Sequence, residues 1–258
     1  MSETIRYEQT DGIGVLTLDR PAKLNAMTHA MGDAIRALVP KLNADPTLRC
    51  VLVQGEGRAF SAGGDLDFLI DNSRRPEHEL VDDMRDFYTK FLTLRDLEMP
   101  SIALLAGRAT GAGLCLALAC DLRYAADDAL LSVNFVRVGL SPGMAGTWAL
   151  PRLVGAARAA ELLFTGRTVD AQEALSLGLV NGVCPRPELL ETGRQVAAQI
   201  AQGAPQAMRA TKALLRGNAE RDLIDGLTAE AEAQAKAFGG TELQEGIRAI
   251  REKRTPAF

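Results

Sequence analysis

Two strings in this sequence have the makings of main-chain chemistry, because each sets small residues directly after a strand-like run. The first, AFSAGGDL, spans Ala59 to Leu66 and places Asp65 before an apolar run, where it suits a helix N-cap. Such a turn lets a ligand approach the backbone closely and leaves the amides near Gly63 and Gly64 free to donate outward. The second, AGRATGAGLCLALACDLRYAA, spans Ala106 to Ala126, and its Gly111 to Gly113 opens a helix of small residues. The first amides of that helix lack intrahelical acceptors and sit at the positive end of the macrodipole. Two convergent N–H donors are what a developing thioester enolate needs, so the pair reads as an oxyanion hole.

Each string has a plainer alternative. AFSAGGDL taken singly is equally an ordinary strand-to-helix turn. The second string invites a dinucleotide-binding reading, but Leu116 stands where the third glycine of that fingerprint belongs, and no ribose-binding acid follows at the proper distance. Only His29 and His78 offer imidazole, and Cys50, Cys115, Cys120 and Cys184 are scattered without a CxxC pair, so neither a metal site nor a disulfide framework is expected.

The elements that must carry these turns point to an α/β class. Short β-type runs (Gly14 to Leu18, Val51 to Gly55, Ile102 to Leu105) alternate with segments of helical period, one of which aligns Ala34, Ile35, Leu38, Val39 and Leu42 on a single stripe. From about Pro187 the chain reads as helices only, with breaks at Gly203 to Pro205, Gly217 to Asn218 and Gly239 to Gly240. Helices such as Pro205 to Leu215 and Thr241 to Arg254 carry apolar stripes that a short tail can hardly bury alone, so they are expected to pack on the core or on another subunit. A formal net charge of -4 on 258 residues gives no basic surface for nucleic acid or anionic lipid. No run is apolar enough for a membrane span and the start lacks a secretory pattern, so a cytoplasmic protein with no membrane partner is expected.

In this order, the motifs resemble those of the enoyl-CoA hydratase/isomerase (crotonase) superfamily over nearly the whole chain. RPAKLNAM (Arg20 to Met27) is similar to the family's CoA-contacting loop, and the two glycine-rich strings to its two oxyanion segments. VGLSPGMAGTWALPRLVG (Val138 to Gly155), LLFTGRTVDAQEALSLGLVNGV (Leu162 to Val183) and the terminal EGIRAIREKRTPAF match its later blocks. The resemblance implies a crotonase-like spiral of ββα units over residues 1–190. A C-terminal helical trimerisation region over 191–258 would assemble a homo-trimer or a dimer of trimers.

It also implies an acyl-CoA thioester as partner, with no cofactor beyond the CoA moiety. The oxyanion amides fall on Gly64 and on Ala112, the latter usually glycine; alanine serves if the backbone there does not require positive φ. Lys23, Leu24 and Ala26 would line the pantetheine and nucleotide path, with Ala62, Asp65 and Leu66 around the adenine. Lys253 and Phe258 would approach CoA, within one chain or across a subunit boundary.

The two glutamates of the family's hydratases fall here on Cys115 and Phe135, and the aspartate of some isomerases on Gly143. A positioned acid or base contributes about 10²- to 10⁴-fold, so two-glutamate hydration is not carried over. Cys115, in the first helical turn, is a candidate base or nucleophile if the dipole lowers its pKa; the alternative is a core cysteine. Asn134 is a candidate water ligand, or else satisfies nearby backbone. The polar residues Asp71, Glu77, His78, Glu79, Asp82 and Asp83 lie in the family's variable region over the acyl pocket, and otherwise form a solvated helix face. Trp148 reads as a core or helix-packing aromatic, while Phe135 with Val133, Val136 and Leu140 suggests an apolar catalytic end. A non-catalytic acyl-CoA-binding protein and a nucleotide-binding α/β protein are the rivals.

Overall fold

The computed structural model describes residues 4–258, so residues 1–3 of the expected first region lie outside the described residues. The chain opens with an antiparallel pair, β1 (Ile5–Thr10) and β2 (Ile13–Leu18). The stripe helix α1 (His29–Asn43) begins where the Thr28 side chain accepts from the Met31 N–H, and it buries Ile35, Val39 and Leu42 with Ala34 and Leu38 half-buried beside them.

Three successive turns then repeat one plan. The strand pairs are β3 (Cys50–Gly55) with β4 (Ala59–Ser61), β5 (Ser101–Leu105) with β6 (Arg108–Thr110), and β7 (Leu122–Ala126) with β8 (Leu130–Ser132). The first strand of each pair joins a six-stranded sheet, β1-β2-β3-β5-β7-β10 with β10 at Gly182–Cys184, and the second joins a four-stranded sheet, β4-β6-β8-β9 with β9 at Thr168–Asp170. Helices follow the pairs: α2 (Leu66–Asn72) and α3 (Glu77–Leu92) after β4, α4 (Ala112–Leu118) after β6, and α5 (Gly146–Val154) and α6 (Ala156–Thr165) after β8. Strand β9 (Thr168–Asp170), α7 (Ala171–Ser176) and β10 (Gly182–Cys184) finish the two sheets. This is the spiral of ββα units expected of the sequence.

Successive side chains of a strand face opposite sides, so a strand buried on both faces reads as an apolar run. Val51 and Val53 of β3 join the inner core with Ala103 and Leu105 of β5, while Cys50 and Leu52 join an outer layer with Ile102 and Leu104. That outer layer is covered by Leu189 and Ala197 of α8 (Leu189–Ala201), a helix that spans residues 190 and 191.

The remaining helices are α9 (Pro205–Asn218), α10 (Leu223–Phe238) and α11 (Thr241–Glu252). Helix α9 is pinned to the core by the buried Lys212, whose ammonium donates to the Met99 carbonyl and pairs with Asp121, both at 2.6 Å. The break expected at Gly217–Asn218 falls just after it: α9 runs through Gly217 and ends at Asn218, with Ala219 as its C-cap, and α10 starts after Asp222, whose side chain accepts from the Asp225 N–H. The core placement expected of Trp148 is corrected as well. It is 37% exposed, with the guanidinium groups of Arg95 and Arg152 at 4.5 and 4.1 Å from its ring centre, because cation–π contact suits an aromatic that the core does not cover. Among the described residues, no helix is long and apolar enough to cross a membrane.

Candidate active site

The turn at Gly64 is held by the 20–27 segment lying against it. Leu24 and Asn25 adopt left-handed φ (51° and 54°), which turns the fully buried Asn25 side chain into the space beside β4. Its amide donates to the Glu56 and Ala59 carbonyls at 2.9 and 2.8 Å, and its oxygen accepts from the Arg20 N–H at 2.9 Å. Ser61 completes the tie: its hydroxyl donates to the Asn25 carbonyl at 2.8 Å and accepts from the Gly63 N–H. The Ala62 N–H donates to Leu24, and the Asp65 N–H to Met27. Of residues 62–65, only Gly64 keeps an N–H without an acceptor among the described residues. Since Asn25→Ala strands the buried Ala59 carbonyl together with the half-buried Glu56 carbonyl and Arg20 amide, it is expected to destabilise the fold by about 3 kcal/mol, measurable by urea unfolding.

The second turn is built on β6. Gly111 takes φ 54° and ψ -119°, a conformation that only glycine adopts without strain, and Ala112 follows as the first helical residue of α4. Ala112 is not among the positive-φ residues, so the alanine there is unstrained, and its N–H has no acceptor among the described residues. Strands β4 and β6 are neighbours, and their turns interlock. A methyl group on Gly63 (φ 92°) would stand 2.7 Å from the Thr110 carbonyl oxygen and 3.5 Å from the Ala112 nitrogen, and one on Gly113 would stand 2.5 Å from the Ser61 carbonyl oxygen. The two free amides therefore sit side by side at the ends of adjacent strands.

Beside them, the Asn134 side-chain oxygen and the Phe135 ring face Gly111, at 3.2 and 3.8 Å from where its Cβ would be. Half-buried Asn134 makes no side-chain hydrogen bond among the described residues, so it does not spend its amide on nearby backbone. Cys115 is 1% exposed, and burial pushes its thiol up to about 12, opposite to the lowering that a helix N-terminus alone would give. It belongs to the core. Val133 is buried, but Val136 and Leu140 turn outward at 40% and 45% exposure, so the apolar set expected around Phe135 is only partly assembled.

The residues expected along the CoA path on the 20–27 and 62–66 segments come together. Lys23 is exposed and 3.8 Å from Asp67; Leu24 and Ala62 are half-buried, Ala26 is buried and Leu66 is 68% exposed. Asp65 caps α2 through the Asp67 N–H and pairs with Arg20 at 3.0 Å. Burial works to raise its pKa, but the Arg20 hydrogen bond and charge, the Asp67 amide and Lys23 outweigh that and hold it below the ordinary value. A carboxyl depressed in the folded state stabilises the fold above its unfolded pKa, and that increment is lost as pH falls. Below about pH 4, stability is expected to fall less steeply in Asp65→Asn than in the wild type, as read from urea unfolding at several pH values.

Phe258 lies elsewhere. Its carbonyl accepts from Arg49 at the start of β3, whereas the Gly64 turn follows the other end of that strand. Within one chain, neither Phe258 nor the exposed Lys253 has a described contact with the Gly64 and Ala112 turns.

Of the polar residues over this region, Glu77, His78, Glu79 and Asp82 are exposed, and Asp83 pairs with Arg75 at 2.6 Å and His29 at 3.5 Å. The group that the sequence did not mark is Tyr88 of α3, a helix fastened to α2 by Phe68 stacked on Phe87 at 4.7 Å. The Tyr88 hydroxyl stands against Gly143, and only the absence of a side chain at 143 hints at it in the sequence.

Paired strands that feed two sheets turn by turn, with glycine-rich turns at the ends of adjacent strands, define the crotonase class. The chain belongs to the enoyl-CoA hydratase/isomerase family, whose model matches residues 8–258. It is similar to a probable enoyl-CoA hydratase of Mycobacterium tuberculosis, 35% identical over 256 residues, covering 99% of this chain and 98% of that one. A crotonyl-CoA hydratase of Syntrophomonas wolfei is 33% identical over 261 residues, covering 99% and 98%. Among solved structures, the enoyl-CoA hydratase of Bacillus anthracis superimposes with a TM-score of 0.93 at 33% identity, covering 99% of this chain and 98% of that one.

Proposed function

We propose that this protein binds an acyl-CoA thioester and stabilises its enolate between the N–H groups of Gly64 and Ala112. The observation that carries the reading is the pair of unpartnered amides, held side by side by Asn25, Ser61 and the interlocked glycines. Preorganised donors of this kind need no reorganisation as charge develops on the carbonyl oxygen. The CoA path runs along Lys23, Leu24 and Ala26, with Ala62, Asp65 and Leu66 toward the adenine, and no further cofactor takes part.

The reaction is an isomerisation, a decarboxylation or another enolate reaction, not two-glutamate hydration, because the family's acid positions fall on Cys115, Phe135 and Gly143. One observation favours a non-catalytic acyl-CoA-binding protein as the second reading: the thiol at the first acid position is buried and held protonated. Calorimetric titration with CoA, butyryl-CoA and NAD, followed by turnover of enoyl-, malonyl-type and aryl-CoA thioesters, tests both. CoA binding with turnover supports the enzyme, CoA binding without turnover supports the binder, and NAD binding without CoA affinity contradicts both.

We further assign residues 1–190 to the spiral core and 191–258 to the oligomerising region of a homo-trimer or dimer of trimers. Exposed Leu215, Leu223, Ile224 and Phe238 on α9 and α10 support that assembly, since apolar surface of this kind favours a second copy. Lys253 and Phe258 would then reach CoA from a neighbouring subunit. Light scattering showing only monomer at micromolar concentration would contradict it.

A further inference from the structure

We propose that the Tyr88 hydroxyl is the proton-carrying group of this site, occupying the space that a side chain at residue 143 would fill. The proposal rests on the enolate reading above. A Cβ placed on Gly143 would lie 2.5 Å from the Tyr88 Oη and 2.7 Å from its Cζ, so glycine at 143 and tyrosine at 88 are sterically matched. The same loop closes on the start of α4: a Cβ on Gly146 would stand 3.0 Å from the Cys115 Sγ, and the Cys115 N–H bonds the Gly111 carbonyl, one residue from the Ala112 donor. Tyr88 thus faces the loop that holds one empty acid position, Gly143, and that packs through Gly146 against another, Cys115.

Its hydroxyl is also uncommitted. A half-buried phenol ordinarily finds a hydrogen-bond partner, as Tyr7 does with Gln9, yet Tyr88 Oη has none among the described residues. The ring packs edge-on to Phe87, with centroids 6.3 Å apart, which leaves the oxygen directed at the 141–146 loop. That loop (Ser141, Pro142, Gly143, Met144, Ala145, Gly146) carries no charge. From α4 the titratable neighbour is Cys115; on α3 itself, Met84 and Leu92 one turn away are uncharged and Arg85 is exposed. Burial, with a smaller contribution from Cys115, raises the Tyr88 pKa, so the phenol keeps its proton at neutral pH and can give it up only to a strong base.

A thioester enolate is such a base. In the step assigned to Tyr88, its O–H bond breaks and a Cα–H bond forms on the enolate. The carbonyl is restored between the two amides, and the phenolate takes a proton from water. In reverse, the phenolate removes an α-hydrogen as a proton and the C–H electron pair becomes the enolate. The protein should therefore exchange the α-hydrogens of a bound saturated acyl-CoA with solvent.

The test compares wild type and Tyr88→Phe in CoA affinity by calorimetry and in the exchange of butyryl-CoA α-hydrogens in D₂O, followed by mass spectrometry across alkaline pH. The hydroxyl has no hydrogen-bond partner among the described residues, so the phenylalanine variant is expected to keep the wild-type melting temperature and CoA affinity. Its exchange is expected to be slower by about 10²- to 10⁴-fold, and the rise of exchange with pH seen in the wild type should be lost. Equal exchange in the two proteins with CoA affinity intact overturns the proposal, as does CoA binding without exchange in the wild type. Absence of CoA binding in the wild type is instead the failure of the acyl-CoA reading, and the role of Tyr88 falls with it.

Discussion

Gly64→Pro is expected to lower turnover of an acyl-CoA thioester by about 10²- to 10³-fold, because one oxyanion donor is worth about 2.7–4 kcal/mol. Proline removes the N–H, and that N–H has no acceptor among the described residues, so no hydrogen bond described there is lost with it. Gly64→Ala separates donor from side chain. It keeps the amide, and its Cβ would meet the nearest atom, Leu69 Cδ2, at 3.8 Å, an ordinary contact. Kinetics of the two variants should therefore diverge, with alanine closer to wild type. If proline and alanine behaved alike, the Gly64 amide would not be the donor.

Gly63→Val acts on both amides at once. Residue 63 has φ 92°, where a side chain costs roughly 1–3 kcal/mol, and the added Cβ would press to 2.7 Å from the Thr110 carbonyl oxygen just before α4. Relief of that overlap moves the Gly64 turn away from Ala112. A displacement near 1 Å at a reacting centre costs about 10²-fold, so both activity and urea stability should drop, whereas Gly64→Pro should lose activity chiefly. A folded Gly63→Val protein with wild-type kcat/KM would show that the two turns do not act together.

Local chemistry made much of this legible in the sequence. The α1 stripe, the Asp65 cap and the apolar runs of β3 and β5 depend on residues close in the chain, and all three are found where patterning places them. The alanine at the second donor position also fits, since the positive φ of that turn is carried by Gly111.

What escaped depends on contacts between distant segments. Asn25 and Ser61 look like ordinary polar residues until the 20–27 loop lies against β4, and Tyr88 meets Gly143 only because α3 folds over the turn before α5. The core half of the reading for Trp148 fails for the same reason: helical period identifies a face, not whether Arg95 and Arg152 will pack on its ring. The dipole argument for Cys115 was outweighed by burial, which only the packed helix reveals.

The most direct measurement of the central claim is the infrared difference spectrum of butyryl-CoA labelled with ¹³C at its thioester carbonyl, free and bound. Two amides donating to that oxygen should move the carbonyl band to lower wavenumber on binding to the wild type, with a smaller displacement in Gly64→Pro. A bound thioester whose carbonyl band stays where it is in free butyryl-CoA would contradict polarisation by Gly64 and Ala112.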